Sequence, residues 1–475
     1  MLEKSVYAQD QHKTGETCSK VSIATKTPER IFAERKQNVA MAIDHIISNI
    51  MPDGYVRAAT DYTWYKLMWF RDSSMISSSL SQSAASINRL GDAELMPFAE
   101  KARDGALRIL SRQWDLIDCN REKLRSTSAM NLEDFEFKKL KNHIPARIDG
   151  TGRLANIEID GLLINDLAEE ENPNSWLKQF DSVPLVLYAT SEFVKAFGAE
   201  HLPENLRESI RRDISILTDY IINVYKCPCA DVWEQNPQML HSYDIGAAYA
   251  GLNSAMHLCS ELSIDIDTGK INREMYGSTG IISFMNNLFV KDGILRKFRG
   301  EFSSGVAENP KVDAAAYLLF ALFDPEHTLV SKKVYLETME ALKDNHTFRS
   351  RDGKMVYESV FPKRYEGDRY FGGSGWILLA AAEAYLNTKN GDQSRADYIL
   401  GGIEKLIPES GFSLPEQEPM DEALLNPYRE GKNDAVGRKP AMDLIWSAAE
   451  YIRAATAQME SIMPEVSGQK QYVRR

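Results

Sequence analysis

Apolar residues recur at helical spacing along nearly the whole chain, and the segments that carry them come in two alternating kinds. One kind has a single apolar face, as in Val39, Ile43, Ile46, Ile47 and Ile50, or in Leu95, Phe98, Ala99, Ala102, Ala106 and Ile109, or in Leu206, Ile210, Ile214, Leu217 and Ile221. The other is apolar or small all round, as in Ala314 to Phe323 and Trp376 to Ala382. A helix with one polar face lies at a surface, whereas one without a polar face is buried on every side.

The spacing predicts twelve helices, over 29–51, 73–90, 93–114, 182–198, 203–225, 241–262, 273–290, 312–323, 331–344, 373–388, 391–407 and 440–459. The odd members are the amphipathic ones and the even members the buried ones. Six hairpins, each an outer helix followed by an inner one, describe an all-α toroid, an (α/α)6 barrel, built as one domain over 29–460. A polar extension over 1–28 precedes it and a tail over 461–475 follows. The stretch from about 116 to 181 is mostly without helical periodicity, and a loop of that length in a compact domain is expected to serve function.

Composition suits such a core. Of 475 residues, 43% are hydrophobic, which rules out a disordered chain. Lys and Arg total 56 against 68 Asp and Glu, so the net charge is −12 and repels phosphate backbones and anionic membrane surfaces. Nucleic acid is not expected as a partner. The longest apolar run, Ala314 to Phe323, is about half of what a membrane-spanning helix requires, so no membrane partner is expected either. The first twenty residues lack the apolar stretch of a secretory signal, and the five Cys form an odd set without zinc-type spacing. These features predict a cytoplasmic chain with reduced thiols, no metal and no cofactor. Oligomeric state is not encoded in any pattern of the chain.

Polar and aromatic residues gather just before, or just inside, the predicted inner helices. The clusters are Tyr62 to Asp72, Ser175 to Asp181, Asp231 to Gln235, Glu308 to Asp313, Lys363 to Trp376, and Leu414 to Gln417 with Trp446 beyond it. Aromatic rings cover the apolar C–H face of a pyranose while charged groups hold its hydroxyls, so six such clusters at one mouth of a toroid describe a sugar site. Taken singly, each has a plainer reading. Arg71 and Asp72 fit an ion pair at a helix start, Asp231 to Glu234 fits an acidic helix N-terminus, and Trp69, Trp376 and Trp446 fit a core. Their recurrence at equivalent hairpin positions favours the shared site.

Hydrolysis of a glycosidic bond needs an acid for the departing oxygen and, in an inverting enzyme, a second carboxylate to activate water from the opposite face. Glu234, behind Trp233, suits the acid, and Glu416 suits the base. Residue type alone does not single these two out among 68 acidic side chains. No H-E-x-x-H and no phosphate-binding Gly-rich motif is present, so zinc hydrolysis and nucleotide chemistry have no support. Lyase or epimerase chemistry on this fold favours His or Tyr as proton carrier, and none of the eight His falls within the six clusters. A non-catalytic, sugar-binding regulatory protein on the same fold is the alternative of another class, and retention of both Glu234 and Glu416 argues against it.

The motifs Trp69-Phe-Arg71-Asp72-Ser73, Asp231-Val-Trp233-Glu234, Arg364 to Trp376, Leu414-Pro-Glu416-Gln417 and Asp443-Leu-Ile-Trp446-Ser447 resemble, in order, those of glycoside hydrolase family 15, the family of the glucoamylases. The likeness spans about 60 to 460, and the Arg364 to Trp376 block is its most specific piece. It implies an exo-acting, inverting α-glucoside hydrolase that releases β-glucose, with Glu234 as general acid and Glu416 as general base. Arg71 and Asp72 would hold the non-reducing terminal glucose, and Arg364 would contact sugar beside the scissile bond. Trp176 and Trp446 would pack on sugar rings, and Asp181 would shape the pocket wall. Trp69, Trp233, Gln235 and Asp368 complete the expected sugar-binding set. Gln235 departs from the family, which often has a second acid there, and this leaves the linkage open. The chain has no room for the β-sandwich or starch-binding modules of some relatives, so a short soluble oligosaccharide or disaccharide is the expected substrate. Trehalases and isomaltose-type glucohydrolases share these motifs.

Overall fold

The computed structural model describes residues 27–61, 63–129, 146–149, 153–154, 156–159, 162–166, 175–299, 312–324, 326–349, 355–368, 370–418 and 440–466. Most of the expected 1–28 extension, and the tail beyond 466, lie outside the described residues.

In chain order the helices are α1 (Pro28–Ser48), α2 (Phe70–Leu90), α3 (Met96–Cys119), α4 (Arg121–Ser128), α5 (Ser182–Phe197), α6 (Glu204–Val224) and α7 (Ser242–Glu261). They continue with α8 (Thr268–Tyr276), α9 (Ile281–Phe289) and α10, which is Ala315–Leu318 running into a π turn at Leu319–Phe323. The last are α11 (Lys332–Leu342), α12 (Ile377–Lys389), α13 (Gln393–Glu404) and α14 (Ile445–Val466). Helices α2, α5, α7, α10, α12 and α14 each pack against the next, and α14 packs back on α2, which closes an inner ring. The remaining long helices lie outside it. The architecture is the expected single-domain (α/α)6 toroid.

Local sequence explains the two layers. The outer α1 starts where the Thr27 side chain accepts from the Arg30 N–H and Pro28 occupies the first turn, and it buries Val39, Ala42, Ile43 and Ile46 on one face. The inner α2 has no free face. Its Ser73, Ser74, Ser77, Ser78, Ser79, Ser81 and Ser83 are all buried. Ser73, Ser74 and Ser81 return their hydroxyls to backbone carbonyls four residues back, so these small polar residues need no water.

Two expectations need correction. The segment 273–290 is two helices, α8 and α9, because the chain turns at Gly277 and Gly280. A Cβ at Gly277 would stand 2.4 Å from the Arg273 carbonyl oxygen, and one at Gly280 would stand 2.5 Å from that of Glu274. Only glycine permits that approach, and the apolar periodicity runs on across it. The stretch after 116, expected without helix, carries the end of α3 and all of α4. It then pairs Arg147–Ile148 with Met68–Trp69 and forms a hairpin of Asn156–Ile159 with Leu162–Asn165.

Candidate active site

The segments that enter α2, α7, α12 and α14 line a single pocket, while those that enter α5 and α10 stand behind it, Asp181 holding Arg71 and Asp313 holding Trp233. The pocket spans about 540 Å³, part of it open to solvent, and is lined by Tyr65, Trp69, Arg71, Asp72, Val232, Trp233, Glu234, Arg364, Tyr370, Trp376, Leu378, Glu416, Leu444 and Trp446.

The first wall is the entry to α2. Pairing of Met68–Trp69 with Arg147–Ile148 fixes Trp69, whose ring lies 5.5 Å from that of Trp176 and meets Tyr65 edge-on at 5.9 Å. Arg71, in the first turn of α2, donates to Gln179 and to Asp181 Oδ2 (3.1 Å), and its other nitrogen stands 3.5 Å from Glu234 Oε1. The guanidinium thus joins the entries of α2, α5 and α7.

The second wall is the tight turn before α7. Asp231 Oδ1 accepts the backbone N–H groups of Trp233 and Gln235, at 3.0 and 2.9 Å, and winds the chain so that Glu234 and Asn236 adopt left-handed φ values of 62° and 50°. A non-glycine residue takes that conformation only where its surroundings impose it, and such residues gather at functional sites. The Trp233 indole N–H is fixed by Asp313 at 3.0 Å. Gln235 points away from the cavity and accepts from the Tyr365 hydroxyl at 2.6 Å.

The third wall runs from Arg364 to Trp376. Asp368 grips Arg364 with two bonds of 2.7 and 2.6 Å, which aims the planar guanidinium across Trp233, Tyr370 and Trp376 at 4.8–5.4 Å. Beside this wall, where Gln417 pairs with Trp376, stands Glu416, held by its backbone to Ala441 and Ile377. Its Oε1 accepts from the Tyr65 hydroxyl at 3.1 Å, which in turn lies 3.0 Å from that of Tyr370, while Oε2 is buried without a hydrogen-bond partner.

Burial dominates the electrostatics. It pushes Glu416 up to about 8, against the Tyr65 hydrogen bond and Arg364, with Glu234 adding to the rise. It pushes Glu234 up to about 7, against Arg71 and Arg147. Asp72 rises to about 6 by burial, with Asp181 adding to it and Arg71 opposing. A proton near neutrality therefore resides on groups that, in water, would have lost it. The two glutamates differ in access: 31% of the Glu234 side chain is exposed, while Glu416 is only 3% exposed. Among the described residues, no group of three or more His, Cys, Asp or Glu side chains could hold a metal ion. No helix among them is long and apolar enough to cross a membrane.

Of the candidates read from sequence, Trp69, Arg71, Asp72, Trp233, Glu234, Arg364, Glu416 and Trp446 line the pocket. Asp181 and Asp368 stand behind the lining and hold Arg71 and Arg364, Gln235 is engaged by Tyr365, and Trp176 flanks Trp69. Tyr65, Tyr370 and Trp376 also line it, and all three lie within sequence clusters noted above, so their signal was present. Arg147 and Lys297 carried none, because each reaches its partners only through the folded chain. The Arg147 guanidinium lies 5.3 Å over Trp69 and 4.8 Å over Trp176 and pairs with Asp166.

The toroid is the architecture of glucoamylase-like glycosidases. A solved glycosidase, in its wild-type form, superposes with a TM-score of 0.68 at 20% identity, covering 91% of this chain and 99% of that one. The glucoamylase from Saccharomycopsis fibuligera superposes with a TM-score of 0.56 at 16% identity, covering 92% and 96%. In sequence, the chain is 26% identical over 251 residues to the isomaltose glucohydrolase of Kribbella flavida. That match spans 52% of this chain and 57% of the relative's length. The chain matches no family profile.

Proposed function

We propose that the protein is a glycoside hydrolase that removes glucose from the non-reducing end of short α-glucans or α-glucosyl disaccharides, with inversion to β-glucose. The observation that carries this reading is the pair Glu234 and Glu416, two carboxyl groups raised toward neutral pH that line one pocket ringed by Trp69, Trp233, Trp376 and Trp446. Indole faces cover the apolar side of a sugar, and Arg71, Asp72 and Arg364 offer charged partners for its hydroxyls.

Their unequal access, Glu234 partly exposed and Glu416 buried, supports the division of roles. A leaving group departs toward solvent, so the more accessible Glu234 is the acid that protonates the glycosidic oxygen. The enclosed Glu416 is the base, oriented by Tyr65, and it acts in the minor fraction in which it is ionised and Glu234 protonated, taking a proton from the attacking water. Arg71, 3.5 Å from Glu234, favours the carboxylate that forms once the proton has left. The inner helices that follow Glu234 and Glu416 are third and sixth in the ring, hence opposite one another, which suits attack and departure on opposite faces.

An isomaltose-type preference is the favoured variant, because the curated relative is named an isomaltose glucohydrolase. Incubation with maltose, isomaltose, trehalose and maltoheptaose, with glucose release measured, tests the reading. We expect release from at least one disaccharide, with isomaltose leading. No release from any of the four ends it.

A further inference from the structure

Behind the acid-bearing turn, away from the sugar pocket, lies a buried cluster of charge that the chemistry above does not use. Lys297 is 4% exposed, and its ammonium stands 2.8 Å from Asp231 Oδ2 and 2.8 Å from Asp313 Oδ2. Each partner already has another task. Asp231 holds the N–H groups of Trp233 and Gln235, and Asp313 holds the Trp233 indole and the Ala315 N–H. The same ammonium lies 4.2 Å over the ring of Tyr365, next to Arg364, whose hydroxyl donates to Gln235. The backbone fixes Lys297 in turn. Its carbonyl accepts from the Ser242 N–H at 2.9 Å, beside the pairing of Leu240–His241 with Phe298–Arg299.

One cation therefore ties together the turn that carries Glu234, the entry to α10 and the segment that carries Arg364. Two buried carboxylates without that cation would repel each other, and they would relax by moving the residues they hold. Those residues flank Glu234, which is kept in a left-handed conformation that nothing in its own side chain favours.

The geometry points to Lys297 as a positioning residue of the hydrolytic site, one that sets the place of the acid Glu234 through Asp231 and Asp313 without touching substrate. This rests on the hydrolase reading above. Its signature is selective. A misplaced acid slows departure of an alcohol that needs a proton, and it matters far less for fluoride, which leaves with little protonation.

The test compares Lys297→Met with the wild type on isomaltose or maltose, whichever the wild type cleaves faster, and on α-glucosyl fluoride. Lys297→Arg runs beside it, because it keeps the charge, and with it the fold, but cannot keep both short contacts in place. Thermal unfolding confirms that each variant is folded. For the folded variants we expect kcat on the disaccharide to fall roughly 10²-fold. KM should stay within about threefold and the loss on the fluoride below about tenfold. Equal losses on both substrates, or no loss on either, overturn the positioning role while leaving the hydrolase reading intact. A wild-type protein that cleaves none of these substrates overturns both.

Discussion

Replacing Tyr65 with Phe removes one hydroxyl from the pocket and keeps the ring that meets Trp69 edge-on. That hydroxyl donates to Glu416 Oε1 at 3.1 Å, while the other oxygen of Glu416 has no hydrogen-bond partner. A hydrogen bond to a charged group is worth about 1.5–3 kcal/mol, and 1.36 kcal/mol corresponds to one pKa unit, so its loss raises Glu416 by about 1–2. The sign follows from what the bond favours. The donor stabilises the ionised carboxylate, and without it Glu416, already at about 8, keeps its proton to still higher pH. The wild-type profile of kcat/KM should be a narrow bell with limbs near 7 and 8; because the base lies above the acid, the active form, Glu416 ionised and Glu234 protonated, is a minor one, and the alkaline limb belongs to the base. In Tyr65→Phe that alkaline limb should move up by about 1–2 while the acid limb stays in place, with rates at the maximum and on the acid side reduced about 10–100-fold. The assay is glucose release from the preferred disaccharide between about pH 4 and 10. An alkaline limb that stays in place, with no loss at the maximum, refutes the link between Tyr65 and the base.

Glu234→Gln and Glu416→Gln should each lower turnover by about 10²–10⁴-fold, measured as glucose release by the folded variants. Glu416→Gln should also be more heat-stable than the wild type at pH 9, with the difference vanishing at pH 4. A carboxyl raised by burial from 4.5 to about 8 favours the fold below 4.5 and loses that contribution as pH rises through 8. Thermal unfolding at the two pH values checks this, and equal shifts at both contradict it. Asp72→Ala should weaken hydrolysis of every cleaved substrate, because all share the terminal glucose, and a defect confined to one linkage argues against that role. Proton NMR of the first product should show the β-anomer before mutarotation, whereas early α-glucose contradicts inversion.

The two layers of the toroid were legible because burial on one face and burial on all faces leave different residue patterns, as α6 and α12 illustrate. Glycine's freedom was not. The pattern across Gly277 and Gly280 reads as one helix, and only the close carbonyls of Arg273 and Glu274 show why the chain breaks there. In the site, residues that present chemistry to the cavity stood out, since Trp, Arg and acid side chains cluster before the inner helices. Residues that act through another side chain gave less away. Asp368 fell in the same cluster as Arg364, and Asp181 in the cluster before the next inner helix after that of Arg71, so their presence was legible and their task was not. Lys297 and Arg147 lie 63 and 87 residues from Glu234, and no local pattern announces that the fold returns them to it.

The inner helices α2, α7, α12 and α14 begin beside the pocket, so the positive ends of four macrodipoles, each equivalent to roughly half an elementary charge, face it. Glycosidic cleavage passes through a transition state with positive charge on the sugar ring, and that field opposes it. The carboxyl groups at the inner-helix entrances, Asp72, Asp181, Asp231, Asp313, Glu234 and Glu416, act as a counterweight to the extent that they are ionised, as Glu416 must be when it serves as base. That counterweight turns a rim that would repel a carbocation into one that tolerates it, and the architecture itself makes the acidity of the pocket a requirement.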